Sequence, residues 1–155
     1  MAGHRFHRPN FGSISTGTLK SEDLIESFTY ELQQQRPLHR RHRALIKDIK
    51  AAIARQGDRY YKHSDSMDAV AALIDALNEY APEGFYFGAH PGDGSDFGFW
   101  LSEFYVDEFD GLKVSDTSEV PAAYKGLVLL VNDHGNASLY KASTGARLRE
   151  IWSVV

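Results

Sequence analysis

At Pro82 the apolar period of this sequence changes, and the change dictates the order in which secondary structure is laid down. Before it, apolar residues recur every three to four positions, as one face of a helix requires. After it they recur every second position, as a half-buried strand requires. Upstream, Leu24, Ile25, Phe28 and Leu32 predict a helix over about 22–35. Ser21 is its expected N-cap, and Glu22 and Asp23 lie where the helix dipole favours anions. Pro37 suits the first turn of a second helix with an apolar face of Leu38, Leu45, Ile49, Ala52 and Ile53 and a stop at Gly57. A third begins near Ser66, buries Val70, Leu73, Ile74, Leu77 and Tyr80, and ends before Pro82. Downstream, "GFYFGA" and "FGFWLSEFY" flank the turn-forming "HPGDGSD" as a hairpin, and "GLKVS" is a short strand followed by the connecting loop "TSEVPAAYKG". "GLVLLVN", "ASLYKA" and "RLREIWSVV" are three more strands, joined by "DHGN" and "STGA". Links this short predict antiparallel neighbours. The expected fold class is α+β: three N-terminal helices packed on one face of a five- or six-stranded antiparallel sheet.

A chain of 155 residues suits one domain with a real core. Residues 1–17, basic through His4, Arg5, His7 and Arg8 and without periodicity, are expected to be a flexible arm or irregular lead-in, and residues 18–155 a single domain. No cysteine is present, which excludes disulfides, thiolate metal sites and cysteine nucleophiles. No apolar run reaches membrane-spanning length, and the first residues lack the apolar core of a secretory leader, so a cytoplasmic location is expected.

The net charge of −4 conceals a strong polarity. Residues 1–63 carry 12 Lys and Arg against 6 Asp and Glu, whereas residues 64–155 carry 5 against 15. Between Ser64 and Tyr124, Lys113 alone opposes 13 carboxylates. The basic cluster "RPLHRRHR", with Arg36, Arg40, Arg41 and Arg43, falls at the start of the second helix, where the dipole disfavours cations. Its cost is offset either by the chain's own acidic half or by nucleic acid, the arm then assisting. In the acidic half, alternation sends most aromatics inward and leaves carboxylates outside. Asp93, Asp96, Glu103, Asp107, Glu108 and Asp110 then form a concentrated anionic surface, with Trp100 or Tyr105 as aromatic anchor. Such a surface either solubilises the chain or complements a basic partner.

Catalytic motifs are sparse. "GDGSDFG" is followed by a strand rather than a helix N-terminus, and Asp93 and Asp96 repel phosphate, so it is a turn and not a nucleotide loop. Nothing matches the nucleophile elbow of a serine hydrolase. His90, Asp93 and Asp96 in one loop and Asp133 and His134 in another would make a metal-dependent hydrolase if the loops converged. No cofactor is otherwise expected.

The segments "GTLKSEDLIESFTYEL", "YFGAHPGDGSDFGFWL", "FDGLKVSD" and "LVLLVNDHGNASLY", with the terminal "IWSVV", resemble a family of small, largely uncharacterised proteins carried on bacterial phages, plasmids and integrated elements. The resemblance covers most of the chain from Gly17 and carries over no catalytic residue. It implies the context of host-defence inhibitors, of anti-CRISPR or antirestriction type, and together with the acidic surface it leads to the expectation of a non-enzymatic inhibitor whose partner is a basic host protein or nucleoprotein complex. The alternatives are the metal-dependent hydrolase and direct nucleic-acid binding through the basic N-terminal half.

Overall fold

The computed structural model describes residues 11–145 and 147–154. It is α+β, as expected, but the strands form two sheets of three and four rather than one, and five helices are present among the described residues. The chain divides into two compact units, one ending at Trp100 and one beginning at Leu101.

The first unit holds β1 (Gly12–Ser15), α1 (Ser21–Gln33), α2 (Arg40–Gln56), α3 (Arg59–Lys62), α4 (Ser64–Asn78), β2 (Phe85–His90) and β3 (Asp93–Leu101). β3 lies between β1 and β2. Residues 12–15, expected in the irregular arm, are therefore an edge strand, antiparallel to β3 with Gly12 opposite Phe99 and Ser13 opposite Gly98. Residues 1–10, with the basic positions of the arm, lie outside the described residues. A Cβ at position 98 would lie 1.9 Å from the Gly12 carbonyl oxygen, so β1 can approach only because glycine stands there.

The aromatic alternation has the outcome its period implies. Phe87 and Phe99 point into a core made by α1 and α4, where Phe28, Leu32, Leu73 and Leu77 are fully buried. Phe28 meets Phe87 and Phe97 edge-on at 5.2 and 5.4 Å, and Phe87 meets Phe99 at 4.9 Å. Such pairs add roughly 0.5–1.5 kcal/mol each beyond the area they bury. Asn78 at the end of α4 accepts from the Phe87 amide at 2.9 Å and ties helix to strand.

The helix ends differ in detail from expectation. Ser21 is the first helical residue rather than the cap. Thr18 does the local work instead, its hydroxyl donating to Asp23 at 2.6 Å and accepting from the Lys20 amide at 3.2 Å. Pro37 stands three residues ahead of α2, and just before it Arg36 donates to the Gln33 and Gln35 carbonyls, both at 2.8 Å, and so closes α1. Tyr80 lies beyond α4 and not within it. The short α3, which buries Tyr60, has too few residues for a periodic signal.

The second unit holds α5 (Glu103–Asp107), β4 (Leu112–Val114), a 3-10 turn at Thr117–Glu119, β5 (Gly126–Val131), β6 (Ala137–Ser143) and β7 (Arg147–Val154), in the sheet order β4-β5-β6-β7. The β5, β6 and β7 pairings are antiparallel, as short hairpins demand. β4 is parallel to β5, with Leu112 opposite Val128 and Val114 opposite Leu130, against the expectation of antiparallel neighbours throughout. The loop from 115 to 125 is long enough to carry the chain back across the sheet. Tyr124 fastens it, accepting from the Leu112 amide at 3.2 Å and donating to the Leu127 carbonyl at 2.8 Å. Val114, Val120, Val128 and Ala142 form the core on that face. The segment 103–105, read as the end of a strand, is the start of α5. No helix among the described residues is long and apolar enough to cross a membrane.

Candidate functional site

The eight residues expected to form one anionic surface fall into both units: Asp93, Asp96 and Trp100 in the first, Glu103, Tyr105, Asp107, Glu108 and Asp110 in the second. The two groups have different local chemistry. In the β2–β3 hairpin the polar atoms are largely committed. Asp93 accepts from the Ser95 amide at 3.0 Å and its hydroxyl at 2.8 Å, and these bonds, the amide first, hold its carboxyl below the ordinary range. Asp96 accepts from Ser13 at 3.0 Å, which fastens β1, while its Oδ1 is buried without a partner among the described residues. Trp100 donates to the Gly88 carbonyl at 2.9 Å and meets the His90 ring edge-on at 4.7 Å. That indole is fixed within the hairpin.

The segment from Glu103 to Asp110 is arranged otherwise. Ser102 precedes α5, Glu103 occupies its first turn, and the Glu108 amide closes it on the Phe104 carbonyl at 2.9 Å. Tyr105 turns inward onto Phe109, ring centroids 5.7 Å apart. Phe109 lies over Gly111, where a Cβ would come within 2.7 Å of its ring and 2.9 Å of the Leu127 carbonyl oxygen, so only glycine leaves room for it. Phe104 turns outward and is 75% exposed. Around it Glu103, Asp107, Glu108 and Asp110 are exposed, and among the described residues none forms an ion pair. An apolar ring in water amid four uncompensated carboxylates is therefore the outstanding feature of this unit. Tyr105 and Trp100, the anchors expected from sequence, are half-buried, and the exposed ring is its neighbour Phe104.

The basic cluster is partly occupied by the chain itself. Arg36 caps α1, and Arg41 pairs with Glu79 just beyond α4. Glu79 also bonds His42 Nε2 at 2.5 Å, while His42 Nδ1 meets the Tyr80 hydroxyl at 2.8 Å and that hydroxyl accepts from the His39 amide at 2.9 Å. Burial, the largest cause, raises the Tyr80 hydroxyl, and the Arg41 hydrogen bond, followed by that of His42, holds the Glu79 carboxyl down. Arg40 and Arg43 are exposed without ion pairs among the described residues. This His42–Glu79–Tyr80 cluster has a sequence signal: His42 precedes Ile46, Ile49 and Ile53 by four, seven and eleven positions, which places it on the buried face of α2. A carboxylate placed against the head of α2 is what offsets cations there.

The metal reading gains no geometry. Among the described residues no group of three His, Asp or Glu side chains is placed to hold an ion. His90 Nδ1 accepts from the Gly92 amide at 2.9 Å, and Asp133 and His134 sit in the β5–β6 turn organised by Asn132, which accepts from the amides of His134 and Asn136 at 2.9 and 3.0 Å. In comparisons with known proteins, no family model, curated protein or solved structure matches the chain.

Proposed function

We propose that this chain is a binding protein that docks the segment Glu103–Asp110 onto a basic surface of a protein or nucleoprotein complex. The observation that supports it is Phe104, 75% exposed among four carboxylates that form no ion pair among the described residues. Interfaces concentrate their energy in a few aromatic anchors, and charges around the anchor set approach rate and partner choice. Here the ring supplies the anchor and Glu103, Asp107, Glu108 and Asp110 the field. A carboxylate array of this kind imitates the charge of a nucleic-acid backbone, so a partner that holds nucleic acid is the natural complement. Inhibition of a host defence complex is the form this binding takes if the resemblance to proteins of mobile elements holds.

The test is capture of partners by the full chain at about 50 and 500 mM salt, ionic strengths that span long and short screening lengths. The wild type should retain basic nucleic-acid-binding proteins at low salt and release them at high salt. Charge reversal at Asp107, Glu108 and Asp110, with Phe104→Ala added, should abolish retention. The same proteins retained by that variant would overturn the reading.

A further inference from the structure

The corner where α1 gives way to α2 holds a recess of about 290 Å3 lined by Gln33, Arg36, Leu38, Arg43 and Ile46. Leu38 and the buried Ile46 make its apolar lining, and two guanidinium groups and no carboxylate complete it. Arg36 Nη1 donates to the Gln33 and Gln35 carbonyls, both at 2.8 Å, so its planar fork is oriented before anything binds. Arg40, Arg43 and Lys47 follow along α2 at spacings of three and four, which puts them on one side of the helix. All three are exposed, and none forms an ion pair among the described residues. Asp48, the carboxylate of α2, is next to Lys47 in sequence and so lies roughly 100° around the helix from it. Glu22 and Glu26 line the adjoining groove beside Lys50 and not this recess.

An occupant that matches this surface brings an apolar group for the hollow and several negative charges around it. The chain itself carries such an element. Phe104 is 75% exposed, and the eight residues Glu103–Asp110 hold four carboxylates and no cation. Its ring would exchange water for Leu38 and Ile46, with guanidinium groups against its face. The carboxylates would accept from the arginine forks, the geometry in which such pairs are strongest. Charge and apolar surface therefore correspond on the two elements, four cations to four anions and one hollow to one ring.

We propose that this recess receives Phe104 from a second copy of the chain, whose carboxylates pair with Arg36, Arg40, Arg43 and Lys47. The inference rests on the docking reading of Glu103–Asp110 and adds that the protein carries an acceptor for its own segment. The contact joins unlike surfaces, so a chain that has lost one still offers the other. Its test is sedimentation equilibrium of the full chain from about 10 μM to about 2 mM in about 50 mM salt. The mean mass should rise with concentration, and about 500 mM salt should weaken the association at least about fivefold. Arg43→Glu with Lys47→Glu spoils the recess, and Phe104→Ala with Asp107→Asn and Glu108→Gln spoils the segment. All the replaced side chains are exposed, so amide spectra should show both folds retained. Each variant alone should stay monomeric, and an equimolar mixture should give a heterodimer with one chain of each kind. A wild type that is monomeric throughout, a monomeric mixture, or either variant associating like the wild type would overturn the inference. So would an oligothymidylate that shifts the α2 amides of a chain that stays monomeric, which assigns the cationic row to nucleic acid. A monomeric wild type that still retains basic proteins through Glu103–Asp110 defeats this inference and leaves the docking reading standing; retention of those proteins by the segment variant defeats the reading itself.

Discussion

Replacing Tyr80 by Phe removes a single oxygen that serves two groups of very different exposure. The His39 amide, which donates to it, lies at an exposed position and can turn to water at little cost. His42 Nδ1 cannot, because its side chain is only 5% exposed and its other nitrogen is engaged by Glu79. An unmatched buried polar atom of this kind costs about 1–3 kcal/mol, so Tyr80→Phe should destabilise the first unit by that amount. His42→Leu removes the atom that would be orphaned. In that background Tyr80→Phe should cost under about 0.5 kcal/mol, giving a coupling of at least about 0.5 kcal/mol. Because the chain has two compact units, the assay must read the first by itself. Urea titrations followed at the amide resonances of Leu73 and Leu77, both fully buried in α4, do so. Additivity of the two substitutions within about 0.3 kcal/mol would refute the claim that the phenol's contribution passes through the imidazole.

Three further outcomes follow from the geometry. The Glu79 carboxyl is held below its ordinary range by Arg41 and then His42, so the stability it contributes is complete above the unfolded carboxylate pKa and is lost as pH falls through the lowered folded value; Glu79→Gln should flatten that acid limb in a pH series of urea midpoints. Gly98→Ala places a methyl group against the Gly12 backbone, so β1 should leave the sheet, with fast exchange of the Ser13 and Ser15 amides and a loss of about 1–3 kcal/mol in the first unit. Phe104→Ser should alter the stability of the second unit by less than about 0.5 kcal/mol, because the ring is already in water, yet weaken partner capture by tenfold or more.

The sequence pattern carried the helices and strands well and their neighbours poorly. Phe85, Phe87, Phe97 and Phe99 disclose by alternation which face they bury, but alternation is silent about which strand lies alongside. Hence the single sheet expected from it separates into two, and β4 pairs in parallel across a loop taken as a plain connection. β1 was hidden for another reason: four residues make no periodic signal, and the strand exists because Gly98 admits it. At the docking segment, composition located the carboxylates but not the anchor. One turn of helix in place of a strand rotates Tyr105 inward and Phe104 outward, and five residues are too few for a helical period to register. The basic cluster was legible as a complement to the chain's acidic half, which Arg41 with Glu79 bears out, whereas His42 shows only in its spacing ahead of Ile46, Ile49 and Ile53.

β4 is three residues long, sits at the margin of its sheet, and is separated from α5 by only four residues. On the C-terminal side of α5, a pull through Phe104 meets β4 first, a strand paired over only three residues. Under the proposed docking, loss of β4 would lay bare the flank of β5, and the two hydrogen bonds by which Tyr124 fastens the crossover oppose that loss.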